Sequence, residues 1–308
     1  MRRPTTTAAP RHTARPLKLL FGIGSQAIDA RSARLVQEAP VRMLTSWYNG
    51  PADLSWMTAW KSSVVPRSYA QGYALHLIVW TDVPEGRVQT QYGPACGRPY
   101  PVSSRFLDDM RQLAQTFAGP TDGPPFYVTL FTEFQTYPCT DNTWNASPAV
   151  NAYYRALQDS YLAALKVFHS YAPNARVSLG WGGWQTRWDA PATGGGRSLF
   201  RYFADAMSAS DFQSFQAMGP DNAEDVRAMV KVLGAYGPVM LAHYAPGYGS
   251  RGAAEGDLRT ILDGAYLRRV AQDGLFALSF MENDYVTASE HGYGIIRKAV
   301  RRYGSASP

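Results

Sequence analysis

The chain has 308 residues, 45% of them hydrophobic, 18% charged and 13% aromatic, which excludes wholesale disorder and suits one large globular unit. The net charge is +6, yet Arg2, Arg3, Arg11, Arg15 and Lys18 carry five of those charges, so the rest is close to neutral. A nucleic-acid binder puts its positive charge on the folded surface, and that partner class is therefore not expected.

The opening segment MRRPTTTAAPRHTARP is basic and rich in Pro, Thr and Ala. It lacks the apolar run of a signal peptide, and residues 1–17 read as a flexible tail. No stretch of 18 apolar residues occurs, so no membrane span is expected. From residue 18 onward strand-like and helix-like segments alternate. The strands are KLLFGIGS (18–25), VRMLTSWY (41–48), ALHLIVWTD (74–82) and FYVTLFTE (126–133). RVSLGWGG (176–183), DFQSFQAM (211–218), PVMLAHYA (238–245) and LFALSFME (275–282) complete them. Most are short apolar runs bounded by Gly, Pro or Asp, as in strands buried on both faces.

Helical patterns fill the gaps. Residues 103–117 place Phe106, Met110, Leu113 and Phe117 on one stripe, with Ser103 or Ser104 as N-cap. Residues 150–172 form a second long amphipathic stretch, ended by Pro173, and four more patterns follow, the last over 291–304. Arg297, Lys298, Arg301 and Arg302 lie at helical spacing there and read as a solvated helix face. Eight β/α units predict an α/β fold: a single-domain (β/α)8, or TIM, barrel over residues 18–304. The run FGIGSQA does not have the G-x-G-x-x-G spacing, which disfavours an open nucleotide-binding sheet. Three long connections, 83–102, 134–149 and 184–197, leave C-terminal strand ends, where such barrels build their active face.

Two cysteines, Cys96 and Cys139, fall in loops after strands three and four. They show no zinc or redox spacing. A disulfide between two loops on one face would fit an extracellular protein, and two separate thiols is the alternative.

The polar residues at the predicted C-terminal strand ends have a common character. They include Ser25 and Gln26 after strand one, Trp47, Tyr48 and Asn49 after strand two, and Trp80 and Asp82 after strand three. Strand four supplies Glu133 and Gln135, strand five Trp181, Trp184 and Gln185, and strand six Gln216. Strand seven supplies His243 and Tyr244, and strand eight Glu282, Asn283 and Asp284. Carboxylates, amides and aromatics dominate, and cations suited to phosphate are lacking. Planar aromatics meet the C–H faces of sugars, and amides and acids meet their hydroxyls. A carbohydrate substrate is the expected partner. Glu133 follows directly from a buried apolar run, where burial would raise its pKa as a general acid requires. Glu282 has the same position after strand eight, across the barrel. Glycoside hydrolysis generally takes two such carboxyls. The expected binding residues are Trp47, Tyr48, Asn49, Trp80, Asp82, Gln135, Trp181, Trp184, Gln216, His243, Tyr244 and Asp284, with no metal or cofactor.

His76 lies on the same strand face as Trp80 and Asp82 and reads as a buried, hydrogen-bonded histidine. A metal hydrolase combining His76, Asp82, Glu133 and His243 is disfavoured, because strand one lacks H-x-H. No G-x-S-x-G elbow is present.

The alternation, the acid after strand four and the Trp-rich rim resemble the glycoside hydrolase barrels of the large retaining clan. The segment WMTAWKSSVVPRSYAQGYALHLIVWTD resembles the part of endo-β-mannanase-type enzymes where a strand ends in an aromatic and an acid. The resemblance implies a TIM barrel, polysaccharide hydrolysis and Glu133 as acid/base. The clan has Asn or His before that Glu and its nucleophile at the end of strand seven. Here Thr132 precedes Glu133, and strand seven ends in His243 and Tyr244 with no carboxylate: either the second acid has moved to Glu282, with Asp82 and Asp284 in reserve, or the strand count is off by one, or the mechanism differs. The competing expectation is a non-catalytic carbohydrate-binding barrel, such as a cell-surface or phage-tail adhesion module.

Overall fold

The computed structural model describes residues 17–140, 144–190, 192, 198–247 and 250–308. The expected tail lies outside these residues, except for Leu17. Eight parallel strands close into a barrel: β1 Leu20–Ile23, β2 Met43–Tyr48, β3 Ala74–Val79, β4 Phe126–Leu130, β5 Ala175–Gly182, β6 Gln213–Ala217, β7 Val239–Tyr244 and β8 Leu275–Phe280. Each pairs with its chain neighbours, and β8 closes on β1 with Leu20 opposite Ala277. All eight predicted strands are present, each shorter than or equal in length to its predicted run.

The period-2 alternation of a strand sorts side chains between the barrel interior and the helix layer. The interior is stacked in levels. Leu20, Met43, Ala74, Phe212, Met240 and Ala277 form an apolar floor with Tyr127 and Phe276. Above it, Thr45 on β2 meets Ser279 on β8 at 2.7 Å and His76 Nδ1 at 3.3 Å. His76 Nε2 lies 2.9 Å from Thr129 on β4. Burial holds the His76 pKa down at about 3, so the imidazole is neutral, buried and hydrogen-bonded on both sides.

Outside the strands, the helix Ser104–Phe117 buries Phe106, Met110, Leu113 and Phe117, and Ser103 accepts from the Phe106 N–H at 3.3 Å. The long helix Pro148–Tyr171 is capped by Ser147 in the same way. The first of the four later helical patterns, RSLFRYFADAMSA, divides into Leu199–Tyr202 and Ala204–Ala209. A further helix, Arg251–Ile261, was not expected, because its Ala- and Gly-rich run shows only Leu258 and Ile261 as buried anchors. The closing helix Glu290–Tyr303 sets Arg297 2.8 Å from the Glu38 carboxylate, and Arg301 Nε donates to the Glu38 carbonyl at 2.9 Å, so two members of the expected solvated basic face engage the helix Arg34–Glu38.

The 83–102 connection contains a hairpin, Gly86–Thr90 with Gly93–Gly97. Cys96 in this hairpin is disulfide-bonded to Cys139, so the two cysteines are bridged. Backbone bonds run alongside: Cys139 N–H donates to Cys96 O at 3.2 Å and Arg98 N–H to Tyr137 O at 2.9 Å. The hairpin is thereby tied to the segment that follows Glu133.

Candidate active site

β4 ends at Leu130, so Glu133 stands on the loop beyond the strand and not at its last residue as expected. That loop is unusual. Phe131 has φ 59° and Glu133 φ 57°, both left-handed. For residues with a Cβ this conformation costs roughly 1–2 kcal/mol each, so neighbours must hold it. Phe131 packs on Phe106 at 5.0 Å, and Phe134 packs on Phe203 at 4.6 Å and Trp181 at 4.7 Å. These rings anchor the loop outward on both sides of Glu133. Gln135 pins it further: its Oε1 accepts from Gly182 N–H at 2.9 Å and its Nε2 donates to Gly182 O at 3.2 Å. Gly180 provides clearance, since a Cβ there would lie 2.8 Å from Thr132 Cα.

Held this way, Glu133 faces a cleft of about 360 Å³ at the C-terminal end of the barrel. The lining is Ser25, Gln26, Trp47, Asn49, Trp80, Thr132, Glu133, Gln216, Met218, His243, Met281 and Glu282. Gln216 Nε2 donates to Glu133 Oε1. Burial pushes the Glu133 carboxyl above its ordinary pKa, against the opposing effects of the Gln216 hydrogen bond and the Arg98 charge. Glu282 reaches the cleft from the far side, since β4 and β8 lie opposite each other in the ring of eight. Glu133 and Glu282 are the only carboxylates among the described lining residues.

Of the expected binding residues, Trp47, Asn49, Trp80, Gln216 and His243 line the cleft. Asn49 is steadied by Asp53, to which its backbone and side-chain N–H groups donate at 2.8 and 3.0 Å. Trp47 meets the His243 ring edge-on at 4.3 Å. The others are elsewhere. Met43, Thr45 and Trp47 face inward, so Tyr48 faces outward; its hydroxyl lies 2.5 Å from that of Tyr100 and donates to Asp109 at 3.2 Å. Trp181 is also on the outer face and is fully buried against Phe134, Phe200 and Phe203. A register shift between Phe215–Leu241 and Gln216–His243 reverses the alternation late in β7. It turns His243 toward the cleft and sends Tyr244 outward, where its hydroxyl donates to Asp257 at 2.8 Å. Gln135 is fully buried and engaged with Gly182. Trp184 lies against Gly182, outside the cleft lining. Asp82 is exposed on the rim, and Asp284 lines an adjoining chamber that shares Ser25 and Glu282 with the cleft.

The residues the sequence reading missed are Thr132, Met218 and Met281, which line the cleft without a charge or ring to mark them. Arg98 was missed because it lies on the hairpin excursion. Its guanidinium sits 5.3 Å from the Trp80 ring, and Nη1 donates to Thr81 O and Val83 O at 2.8 and 2.9 Å.

No protein-family model and no curated protein matches the chain. Solved structures do. A GH26 beta-mannanase from Bacteroides ovatus aligns over 96% of this chain and 85% of its own, with TM-score 0.55 and 12% identity. A GH5_18 structure from Streptomyces cattleya, in complex with GlcNAc, aligns over 95% and 82%, with TM-score 0.57 and 13% identity. The GH53 catalytic domain of Ignisphaera aggregans aligns over 85% and 79%, with TM-score 0.52 and 12% identity. The chain has the fold of TIM-barrel glycoside hydrolases. The likeness is one of architecture, and no residue of the site is carried over by it.

The metal-hydrolase set is not assembled. Both nitrogens of His76 engage threonines below the cleft, and Asp82 is exposed. Among the described residues no group of three or more His, Cys, Asp or Glu is placed to hold a metal ion. A larger groove of about 780 Å³ opens on the outer wall beside Tyr69, Gln115 and Tyr171, with no carboxylate in its lining.

Proposed function

We propose that the chain is a glycoside hydrolase acting on a polysaccharide or oligosaccharide. The observation that carries this reading is the pair Glu133 and Glu282, the only acids among the described residues lining a cleft that Trp47 and Trp80 also line. Burial favours the protonated form of Glu133, which suits it to protonate the departing glycosidic oxygen. Glu282, from the opposite strand, then attacks the anomeric carbon or activates the water that does. In the first case Glu133, now ionised, deprotonates the water that releases the sugar. Trp47 and Trp80 offer ring faces to the sugar, and Asn49 an amide. The disulfide supports an extracellular site of action.

A non-catalytic carbohydrate-binding barrel is the second reading. It is favoured by His243, which stands late in β7 where the retaining clan carries its nucleophile. A panel of polysaccharides incubated with the wild type and with Glu133→Gln separates the two. Hydrolysis that falls by about 10²- to 10⁴-fold in a folded Glu133→Gln chain supports the enzyme. Binding without hydrolysis by the wild type sinks it.

A further inference from the structure

The floor of the cleft carries polar atoms that no other described residue satisfies. Gln216 is 1% exposed; its Nε2 donates to Glu133, while Oε1 has no hydrogen-bond partner. His243 is also 1% exposed, and neither ring nitrogen is bonded. Gln26 Oε1, lining the same cleft, is unbonded too. Buried polar atoms without partners are rare in folded proteins, and three such side chains around one cavity mark a place where a ligand completes the bonding.

The chemistry of these atoms selects the ligand. Both glutamine oxygens accept only. The buried imidazole of His243 is neutral, with its pKa held down at about 3 by burial and by His76, so it offers one donor and one acceptor. No Lys or Arg is among the twelve described residues lining the cleft. The adjoining chamber adds Asp29 and Asp284, and its Arg34 is held by Glu38 at 2.9 Å and Glu290 at 2.7 Å. Arg98, 5.3 Å from the Trp80 ring and outside the cleft lining, donates through Nη1 to two carbonyls, and its charge is felt at Glu133. A carboxylate-bearing sugar would meet acceptors and two glutamates, with no Lys or Arg among the described lining residues to pair with its charge directly.

We infer, resting on the carbohydrate reading above, that His243 and Gln216 form the pair that recognises the hydroxyls of an uncharged sugar, and that glycans of uronic acids are excluded. The hydroxyls donate to Gln216 Oε1 and the bare His243 nitrogen, and the His243 N–H donates back. His243 is retained for binding at the expense of stability, since an apolar ring in its place would leave no unbonded nitrogen.

The test compares neutral oligosaccharides of the gluco, manno and xylo series with oligogalacturonates and oligoglucuronates. Binding calorimetry and product analysis are run at low ionic strength with the wild type and His243→Phe. Neutral oligosaccharides should bind and be cleaved, with uronates at least tenfold weaker. His243→Phe should weaken neutral-sugar binding about tenfold while its melting temperature holds or rises. Uronates bound as tightly as neutral sugars would overturn this inference and leave the hydrolase reading standing. Unchanged binding by His243→Phe would remove the histidine's recognition role. If no oligosaccharide of either class is bound or cleaved, both readings fall.

Discussion

The Cys96–Cys139 bridge joins the hairpin after β3 to the loop carrying Glu133, and opening it should cost both stability and activity. Its ends are 43 residues apart. Closing a loop of that length removes about 13 cal/mol/K of chain entropy from the unfolded state, or about 4 kcal/mol at room temperature, as an upper figure. Native cross-links of this kind are commonly worth about 2–4 kcal/mol. A chain of this size shifts its melting temperature by about 1.6 °C per kcal/mol, so Cys96→Ser with Cys139→Ser should melt about 3–6 °C lower. The same change frees the segment that holds Phe131 and Glu133 in left-handed backbone, so turnover should fall further than the melting shift alone explains. Urea unfolding, thermal scans and hydrolysis assays on the double variant, below its transition, read all three effects. A double variant that melts within 1 °C of the wild type, on the scale of about 1.6 °C per kcal/mol, would refute the entropy argument. Full activity would refute the link to Glu133.

Gln135→Ala should lose two hydrogen bonds and leave the Gly182 N–H and C=O buried and unpaired, for roughly 2–4 kcal/mol; denaturant unfolding checks this, and kcat should fall with little change in KM because Gln135 does not line the cleft. Glu133 carries a folded pKa above its unfolded value, so its ionisation opposes folding progressively as pH rises from the unfolded pKa through the folded one. Glu133→Gln should therefore melt higher than the wild type at pH ~7, with the difference disappearing near pH ~3, where the glutamate is protonated in both states. A difference that is constant with pH would show that Glu133 is not desolvated.

The barrel was legible because its strands are buried on both faces and so read as continuous apolar runs between Gly, Pro and Asp. That Glu133 and Glu282 line one cleft was legible for the same reason, since they are the first acids beyond two such runs. What failed was direction. Trp181 and Tyr48 have the residue types of a sugar platform, but their parity along the strand places them under the helices. Tyr244 could not be placed from sequence, because the register shift that turns it outward depends on how β6 and β7 meet. The left-handed turn at Phe131 and Glu133 left no mark either, since neither position is Gly or Asn. Gln135 has the chemistry of a ligand-binding amide, yet both ends of that amide are taken by Gly182.

The most direct test of Glu133 as the proton donor uses two leaving groups. A natural glycosidic oxygen must be protonated as it departs, whereas a dinitrophenolate leaves unaided. Glu133→Gln and Glu282→Gln are each assayed on a glycan the wild type cleaves and, in a single turnover, on the dinitrophenyl glycoside of its terminal sugar. Glu133→Gln should lose about 10²- to 10⁴-fold on the glycan yet still release dinitrophenolate, and Glu282→Gln should lose both. A folded Glu133→Gln chain that hydrolyses the glycan at the wild-type rate would contradict the account.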